Sequence, residues 1–369
     1  MKKSIWKAEG TCISLFFGDS TPLETLTIST NFRKWKNIFE LRCAKDAYPH
    51  LRHLFIALLK KLKKSILLIF IMILNIWEFK MKILYGYAAR DHLLTKLSKK
   101  IQYLKSRYII PSLAIILNNN SRASLVYIAN KQKICEKLHI KFKLFKLDQS
   151  STAQEMLKLI HKLNNDKKIN GLFVQLPISK KIPERIVIDA INPIKDVDCF
   201  HNYNVGKIWT TKNESNILSP CTPAGIIALF DYYQISLEGK NVVIVNRSNI
   251  VGKPLAALFL QKNATVTVCH SKTKRLKNIC KKADIVITAI GQANYFDETY
   301  FRNNAIIVDV GINWDKNNKP CGNVNMLSLK KFHGYISPIP GGVGPLTVVM
   351  LINNLVNLTM IQNKIKEID

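Results

Sequence analysis

The run VVIVNRSNIVGKP (242–254) decides the fold. Its four β-branched residues in succession read as a strand buried on both faces, the pattern of a parallel sheet. The apolar run breaks at Asn246, Arg247 and Ser248 and resumes at Ile250, Val251 and Gly252 as a helix opening. Strand, short polar loop and helix together offer a phosphate the free backbone N–H groups and dipole of a helix start. Glycine is the usual first residue of such a loop, because it takes positive φ freely. Here that place belongs to Asn246, and asparagine is the other residue that tolerates the left-handed region. Gly252 remains where the helix must come close to its strand.

Working outward, the alternation continues. TVTVC (265–269), a helix through LKNICKKA (276–283), DIVITAI (284–290) and AIIVDVGIN (305–313) extend it into a Rossmann-like parallel sheet. A loop selecting NAD places an acid at the end of the second strand, on the ribose 2′-hydroxyl. TVTVC is followed by His270, Ser271 and Lys272, with no acid. Arg247 in the loop, with Ser271 and Lys272, suits a 2′-phosphate, so NADP is the expected nucleotide. His270 reads as a structural or ribose-side residue.

Upstream, the regular pattern begins at Met81. DHLLTKLSKKIQYLKSR is an amphipathic helix, SLAIIL (112–117) a strand, and SRASLVYIANKQKICEKLHI a second helix capped near Ser121 or Ser124. KFKLFKL is a strand, STAQE opens a capped helix, and INGLFVQLP is a further strand. LSPCTPAG (218–225), where two prolines flank a helix start, reads as a hinge between units. A last apolar helix, PLTVVMLINNLVNLTMIQNKI, is long enough to pack back on the first unit. The expected architecture is α/β with two domains. Residues 81–219 plus 345–369 form the first, residues 220–344 form the Rossmann-like second, and residues 1–80 are an extension outside the core fold.

Bulk properties narrow the function classes. With 369 residues and 47% apolar content, the chain can bury two ordinary cores. A net charge of +30 invites nucleic acid or anionic membrane as partner. The lysines are dispersed, however, and no RNA-binding aromatic signature or zinc-finger spacing accompanies them, so no nucleic acid is expected. Cys12, Cys43, Cys135, Cys199, Cys221, Cys269, Cys280 and Cys321 are isolated, which suggests neither metal site nor disulfide framework and fits a reducing compartment. The apolar run SILLIFIMILNIW (65–77) is shorter than the roughly 20 residues a membrane span needs. No membrane is expected for the core fold, and the cytoplasm is the expected location, with organellar targeting by residues 1–80 left open.

Several segments carry candidate chemistry. In SLVYIANK, Tyr127 and Lys131 are four apart and share a helix face. Tyr-x-x-x-Lys also marks short-chain dehydrogenases, but there the cofactor loop precedes the pair, whereas here it follows by more than a hundred residues. GLFVQLP (171–177) ends a strand with Val174, Gln175 and Leu176. PIKDVDCFHNYNVGK (193–207) reads as a short acidic loop with Asp196 and Asp198, and His201 as a loop residue. SPIPGGVGPLT (337–347) is a glycine-rich loop at a sheet end. These are the places where α/β proteins build sites.

In this order and combination, PGGVGP, Tyr-x-x-x-Lys, VQLP, KDVD and RSxxVGxP closely resemble the bifunctional methylenetetrahydrofolate dehydrogenase/cyclohydrolase family, from about Met81 onward. Three positions depart from the family pattern: Asn246 and Cys199 stand where glycine is usual, and Asn323 where aspartate is usual. The first bears on cofactor affinity and the second on the shape of the substrate-side loop.

The resemblance implies oxidation of 5,10-methylenetetrahydrofolate with NADP, then hydrolysis of the methenyl product to 10-formyltetrahydrofolate, by a homodimer. It implies Lys131, Tyr127 and Gln175 as catalytic residues, the tyrosine stacking on folate with its hydroxyl fixing the lysine, and Gln175 orienting the lysine's amine. Val174, Leu176, Asp198, Pro340, Gly341, Gly342, Val343 and Gly344 would join these three around the folate. Asp198 would meet the donor-rich pterin edge and Asp196 support its loop. Asn246, Arg247, Ser248, Ser271 and Ile312 would contact NADP, with Thr222 near the nicotinamide. No metal is implied. Two rivals remain: a single-activity NAD-dependent dehydrogenase, separable by assay with both cofactors, and a basic binding protein, which leaves these motifs unexplained.

Overall fold

A computed structural model describes residues 5–8, 11–14, 81–211, 218–317 and 319–365. Near the N-terminus, β1 (Ile5–Ala8) and β2 (Thr11–Ser14) pair antiparallel, a hairpin not foreseen in the sequence. The remainder of 1–80, including the apolar run 65–77, lies outside the described residues, as do most of the grounds for placing 1–80 outside the core.

After the short strand β3 (Lys82–Ile83), the chain runs α1 (Gly86–Ser106), β4 (Ser112–Leu117), α2 (Arg122–Lys137), β5 (Lys141–Lys146), α3 (Ala153–Asn165) and β6 (Gly171–Gln175). Strands β5, β4 and β6 form a parallel sheet in that order. Successive side chains of a strand point to opposite faces. Accordingly Leu113, Ile115 and Leu117 join a core with Leu97, Ile101 and Ile128, while Ala114 and Ile116 meet Met156, Ile160 and Val174 on the other face. Local signals set the helix starts. The Ser121 side chain accepts from Ser124 N–H, and Thr152 with Glu155 closes a reciprocal capping box.

Two helices follow, α4 (Glu184–Ala190) and α5 (Asn202–Thr210), the second beginning just after the short acidic loop that carries Asp196 and Asp198. The cause is His201, whose Nδ1 accepts the Tyr203 N–H at 3.0 Å and caps α5 much as an asparagine would. Then come α6 (Cys221–Tyr232), β7 (Asn241–Val245), α7 (Gly252–Gln261), β8 (Thr265–Cys269), α8 (Leu276–Cys280), β9 (Ile285–Thr288), β10 (Ile306–Asp309), the paired β11 (Asn313–Trp314) and β12 (Pro320–Cys321), and β13 (Tyr335–Ser337).

The second sheet is parallel, ordered β3-β13-β10-β9-β7-β8. Val242, Ile244, Ile285 and Ile287 pack under α6 and α7 with Leu229, Phe230 and Phe259. Val243, Val245 and Val286 pack on the opposite face with Phe296, Phe301 and Phe332. Both faces are covered, which is why these strands are continuously apolar. The edge strand β3 is an addition, since its two residues are too short to register as a periodic pattern.

The final helix, α9 (Gly344–Gln362), starts with Leu346 in the second core and continues with Val349, Ile352 and Leu355 in the first. It packs on α1 and α6, as expected of a C-terminal helix that returns. It is long and apolar enough to cross a membrane by composition, yet 67% of its apolar window is buried within the fold, where it serves as a core helix. In both sheets chain order reverses about one strand, β4 in the first and β7 in the second. Such switch points open crevices at the carboxyl ends of the strands.

Candidate functional site

At the first crevice the face of α2 that carries Tyr127 and Lys131 meets the end of β6. Lys131 is 9% exposed, and its Nζ donates to Gln175 Oε1 at 3.1 Å. The same ammonium lies over the Phe173 ring, 4.1 Å from its centroid, a contact not foreseen from sequence. Gln175 is held in turn by donation from Nε2 to the Leu176 carbonyl at 2.8 Å. Burial pushes the Lys131 pKa down, and the nearby Asp198 carboxylate opposes that shift.

Tyr127 sits one turn before Lys131 and is 38% exposed; burial of its hydroxyl raises its pKa. No hydrogen bond joins it to Lys131 among the described residues, so the expected fixing of the lysine by the phenol is not what the structure shows. Gln175, the residue expected to orient the amine, is the one bonded to it.

Asp198 is presented by a loop whose geometry Asp196 sets. The buried Asp196 carboxylate accepts from Cys199 N–H (3.0 Å), His201 N–H (2.9 Å) and Asn204 Nδ2 (3.0 Å). Burial still raises its pKa, with those bonds opposing. Cys199 takes φ +59°, so the loop keeps the left-handed turn that glycine would adopt freely. The side chain makes this conformation costlier by about 1–2 kcal/mol. Asp198 itself is pushed up to about 6 by burial, with Lys131 pulling the other way. The Cys221 thiol donates to Asp198 Oδ1 at 3.9 Å, a neighbour that sequence spacing could not reveal. Asp196 and Asp198 line one cavity with Phe173, Val174, Leu176 and Phe200. Val174 is nonetheless a core side chain.

The glycine-rich loop joins β13 to α9. Gly341 takes φ +102° between the rings of Tyr85 and Tyr87, and its carbonyl accepts the Gly86 N–H at 2.7 Å. Pro340 and Gly344 are exposed, Gly342 is buried, and the Val343 side chain enters the second core, leaving only its backbone to face a ligand.

At the second crevice the expected left-handed backbone at Asn246 is absent. Its side chain organises the loop instead. Oδ1 accepts from Ser248 N–H (2.8 Å), Ser248 Oγ (2.7 Å) and Gly252 N–H (3.0 Å), while Nδ2 donates to the Ala289 carbonyl (2.6 Å) after β9. Asparagine replaces glycine here by hydrogen bonding, not by conformational tolerance. A methyl on Gly252 would collide with the Asn246 carbonyl. Gly252→Ala is therefore expected to lower stability by about 1–3 kcal/mol, read as a lower denaturation midpoint with the sheet intact by circular dichroism.

Arg247, Ser271 and Ile312 are exposed at the carboxyl ends of β7, β8 and β10, and Thr222 lies in the first turn of α6. Arg247 has no partner among the described residues. His270 Nδ1 accepts Lys272 N–H at 3.1 Å, a turn-forming role. Asn323, the third departure, has Oδ1 on Ile290 N–H (3.1 Å) and Nδ2 on the Gln292 carbonyl (2.8 Å). A carboxylate would repel that carbonyl, so the amide suits this loop better than the usual aspartate.

A buried lysine and carboxylate at one sheet's crevice, with a dinucleotide loop at the other's, define a two-domain α/β nucleotide-dependent oxidoreductase. Residues 84–198 match the tetrahydrofolate dehydrogenase/cyclohydrolase catalytic domain, and residues 220–363 match that family's NAD(P)-binding domain. The chain belongs to the tetrahydrofolate dehydrogenase/cyclohydrolase family. It is 48% identical over 261 residues to the bifunctional protein FolD of Agathobacter rectalis, covering 71% of this chain and 92% of that one. With the counterpart of Acetivibrio thermocellus it shares 42% over 285 residues, 77% of this chain and 99% of the relative. The crystal structure of the Campylobacter jejuni enzyme superposes with TM-score 0.74 at 40% identity, covering 78% of this chain and all of that one. The Trypanosoma brucei enzyme, complexed with NADP cofactor and inhibitor, gives 0.73 at 28% identity over 77% and 99% of the two chains. The expectation of a member of the methylenetetrahydrofolate dehydrogenase/cyclohydrolase family with an NAD(P)-binding second domain holds.

Proposed function

We propose that this chain oxidises 5,10-methylenetetrahydrofolate and hydrolyses the resulting methenyl cation at one site built around Lys131. The observation that carries this is the buried Lys131 amine, bonded to Gln175, seated on Phe173 and within the field of Asp198.

The cofactor site fits NADP: Gly252 lets the helix approach its strand, no acid follows β8, and Arg247 is exposed at the loop with no partner among the described residues. NADP supplies the hydride acceptor. For the chain's own residues the oxidation is a positioning task, because the donor carbon is already flanked by two nitrogens that stabilise positive charge. Asp198 accepts N–H groups of the pterin edge, Tyr127 stacks on the aromatic portion, and the backbone of 340–344 closes the other side.

Hydrolysis needs a base. Water adds to the methenyl carbon as one of its protons passes to the Lys131 amine; the carbon–nitrogen bond to N5 then breaks as the lysine returns that proton to N5, and the added hydroxyl releases its remaining proton to solvent to become the carbonyl of the 10-formyl product. The amine must be neutral to accept that proton, and both burial and the cationic substrate favour the neutral form. Gln175 orients it without a counter-charge. A homodimer working in the cytoplasm is part of this reading.

Spectrophotometric turnover of methylenetetrahydrofolate with NADP and with NAD tests the proposal; absence of turnover with either would end it. Arg247→Ala is expected to raise the KM for NADP roughly tenfold, as loss of one charge-assisted phosphate contact of about 1.5 kcal/mol requires, and to leave the NAD value nearly unchanged. Equal shifts would remove the 2′-phosphate from the argument.

A further inference from the structure

The C-terminal helix carries an amide withdrawn from solvent that grips two separate segments of the site. Asn354 is 2% exposed, midway along α9. Its Nδ2 donates to the Val197 carbonyl at 2.9 Å and to the Ser219 carbonyl at 3.0 Å. An amide nitrogen has two hydrogens, so two carbonyls exhaust it. The reversed orientation would aim Oδ1 at two carbonyl oxygens, and the neighbours therefore fix which atom is nitrogen. Cys199 Sγ at 3.4 Å and Cys221 Sγ at 3.8 Å complete its surroundings.

What those carbonyls belong to matters. Val197 immediately precedes Asp198, and Ser219 lies two residues before Cys221, whose thiol reaches Asp198. Asp196 holds the same loop by its N–H groups at Cys199 and His201. The loop is thus gripped on its donor side by Asp196 and on its acceptor side by Asn354, with Asp198 displayed between the grips. An interior side chain tied to two backbone segments has little freedom to relax, so losing it moves what it holds.

We propose that Asn354 is a positioning residue for the folate substrate, fixing through the Val197 and Ser219 carbonyls the direction in which Asp198 meets the pterin edge. This rests on the role given to Asp198 above. Loss of a buried amide lowers stability whatever its role, so stability cannot be the readout. The full-length Asn354→Ala chain is expected to show a folate KM raised roughly tenfold, about 1.4 kcal/mol, with the NADP value within about twofold. Asn354→Ser, which keeps one donor, falls between. Combined with Asp198→Asn, Asn354→Ala should add almost nothing to the folate KM, because both changes act on one contact.

An unmoved folate KM in a folded variant, equal rises for folate and NADP, or additivity with Asp198→Asn would each overturn the assignment. If the alanine variant does not fold, the serine variant carries the same three readings. Failure of the wild-type chain to turn over methylenetetrahydrofolate would defeat the proposed activity instead, whereas an unmoved Asn354 variant beside an active wild type defeats only this inference.

Discussion

Lys131→Ala is expected to abolish hydrolysis of the methenyl substrate, a fall on the order of 10²–10⁴ in rate, while hydride transfer declines far less. The asymmetry follows from the two steps. Oxidation removes a hydride and asks no side chain to take a proton; hydrolysis must deprotonate water beside a cation. Only a neutral amine can do that, and burial lowers the Lys131 pKa while Asp198 works against it. The rate of hydrolysis in the wild type should therefore climb as pH rises through the lowered lysine pKa and fall on the acid side, where the amine is charged. Decay of methenyl absorbance above the uncatalysed rate reads the hydrolysis that is lost, and reduction of NADP reads the oxidation that is retained. Unchanged hydrolysis would take the lysine out of the mechanism.

Much of this was legible in the residues because the relevant physics is local. The runs NVVIV and SLAIIL become β7 and β4 since four or more consecutive apolar positions can be buried only when both sheet faces are covered. The capping box at Thr152 and Glu155 needs nothing beyond a three-residue spacing. Tyr127 and Lys131 fall on one helix face for the same reason, whereas Gln175, 44 positions away at the end of β6, is expected beside the lysine from the family resemblance and not from spacing.

What escaped was three-dimensional in that sense. Phe173 beneath the ammonium, the Cys221 thiol beside Asp198 and the Asn354 clamp are all contacts between segments distant in the chain. Asn246 illustrates a different miss. Its identity was read through backbone tolerance, the property it shares with glycine, when its amide was the property that counted. The helix α5 was missed because a histidine cap has no strong sequence signature, although His201 does by geometry what aspartate or asparagine usually does.

Asp198→Asn carries the second large effect, and it separates binding from stability. Two charge-assisted bonds to the pterin edge together contribute about 3 kcal/mol, so the folate KM should rise roughly 10²-fold while the NADP value stays in place. The wild-type carboxyl titrates at about 6, raised by burial. The ionised form is the one that accepts the pterin N–H groups, so the wild-type folate KM should increase as pH falls through about 6, and that dependence should vanish in the variant. The stability sign runs the other way. A carboxyl whose folded pKa lies above its unfolded value favours the protonated fold, so its ionisation opposes folding above that range and the opposition is relieved as pH falls from about 6 toward the ordinary value. Replacing it with an amide removes a half-buried charge, and thermal stability at neutral pH should hold or rise even as folate binding collapses. The same substitution takes away the carboxylate that raises the Lys131 pKa, so the acid limb of hydrolysis should move to lower pH. A variant that lost stability together with folate affinity, or whose hydrolysis limb stayed where it was, would show that Asp198 supports the loop instead of meeting the substrate.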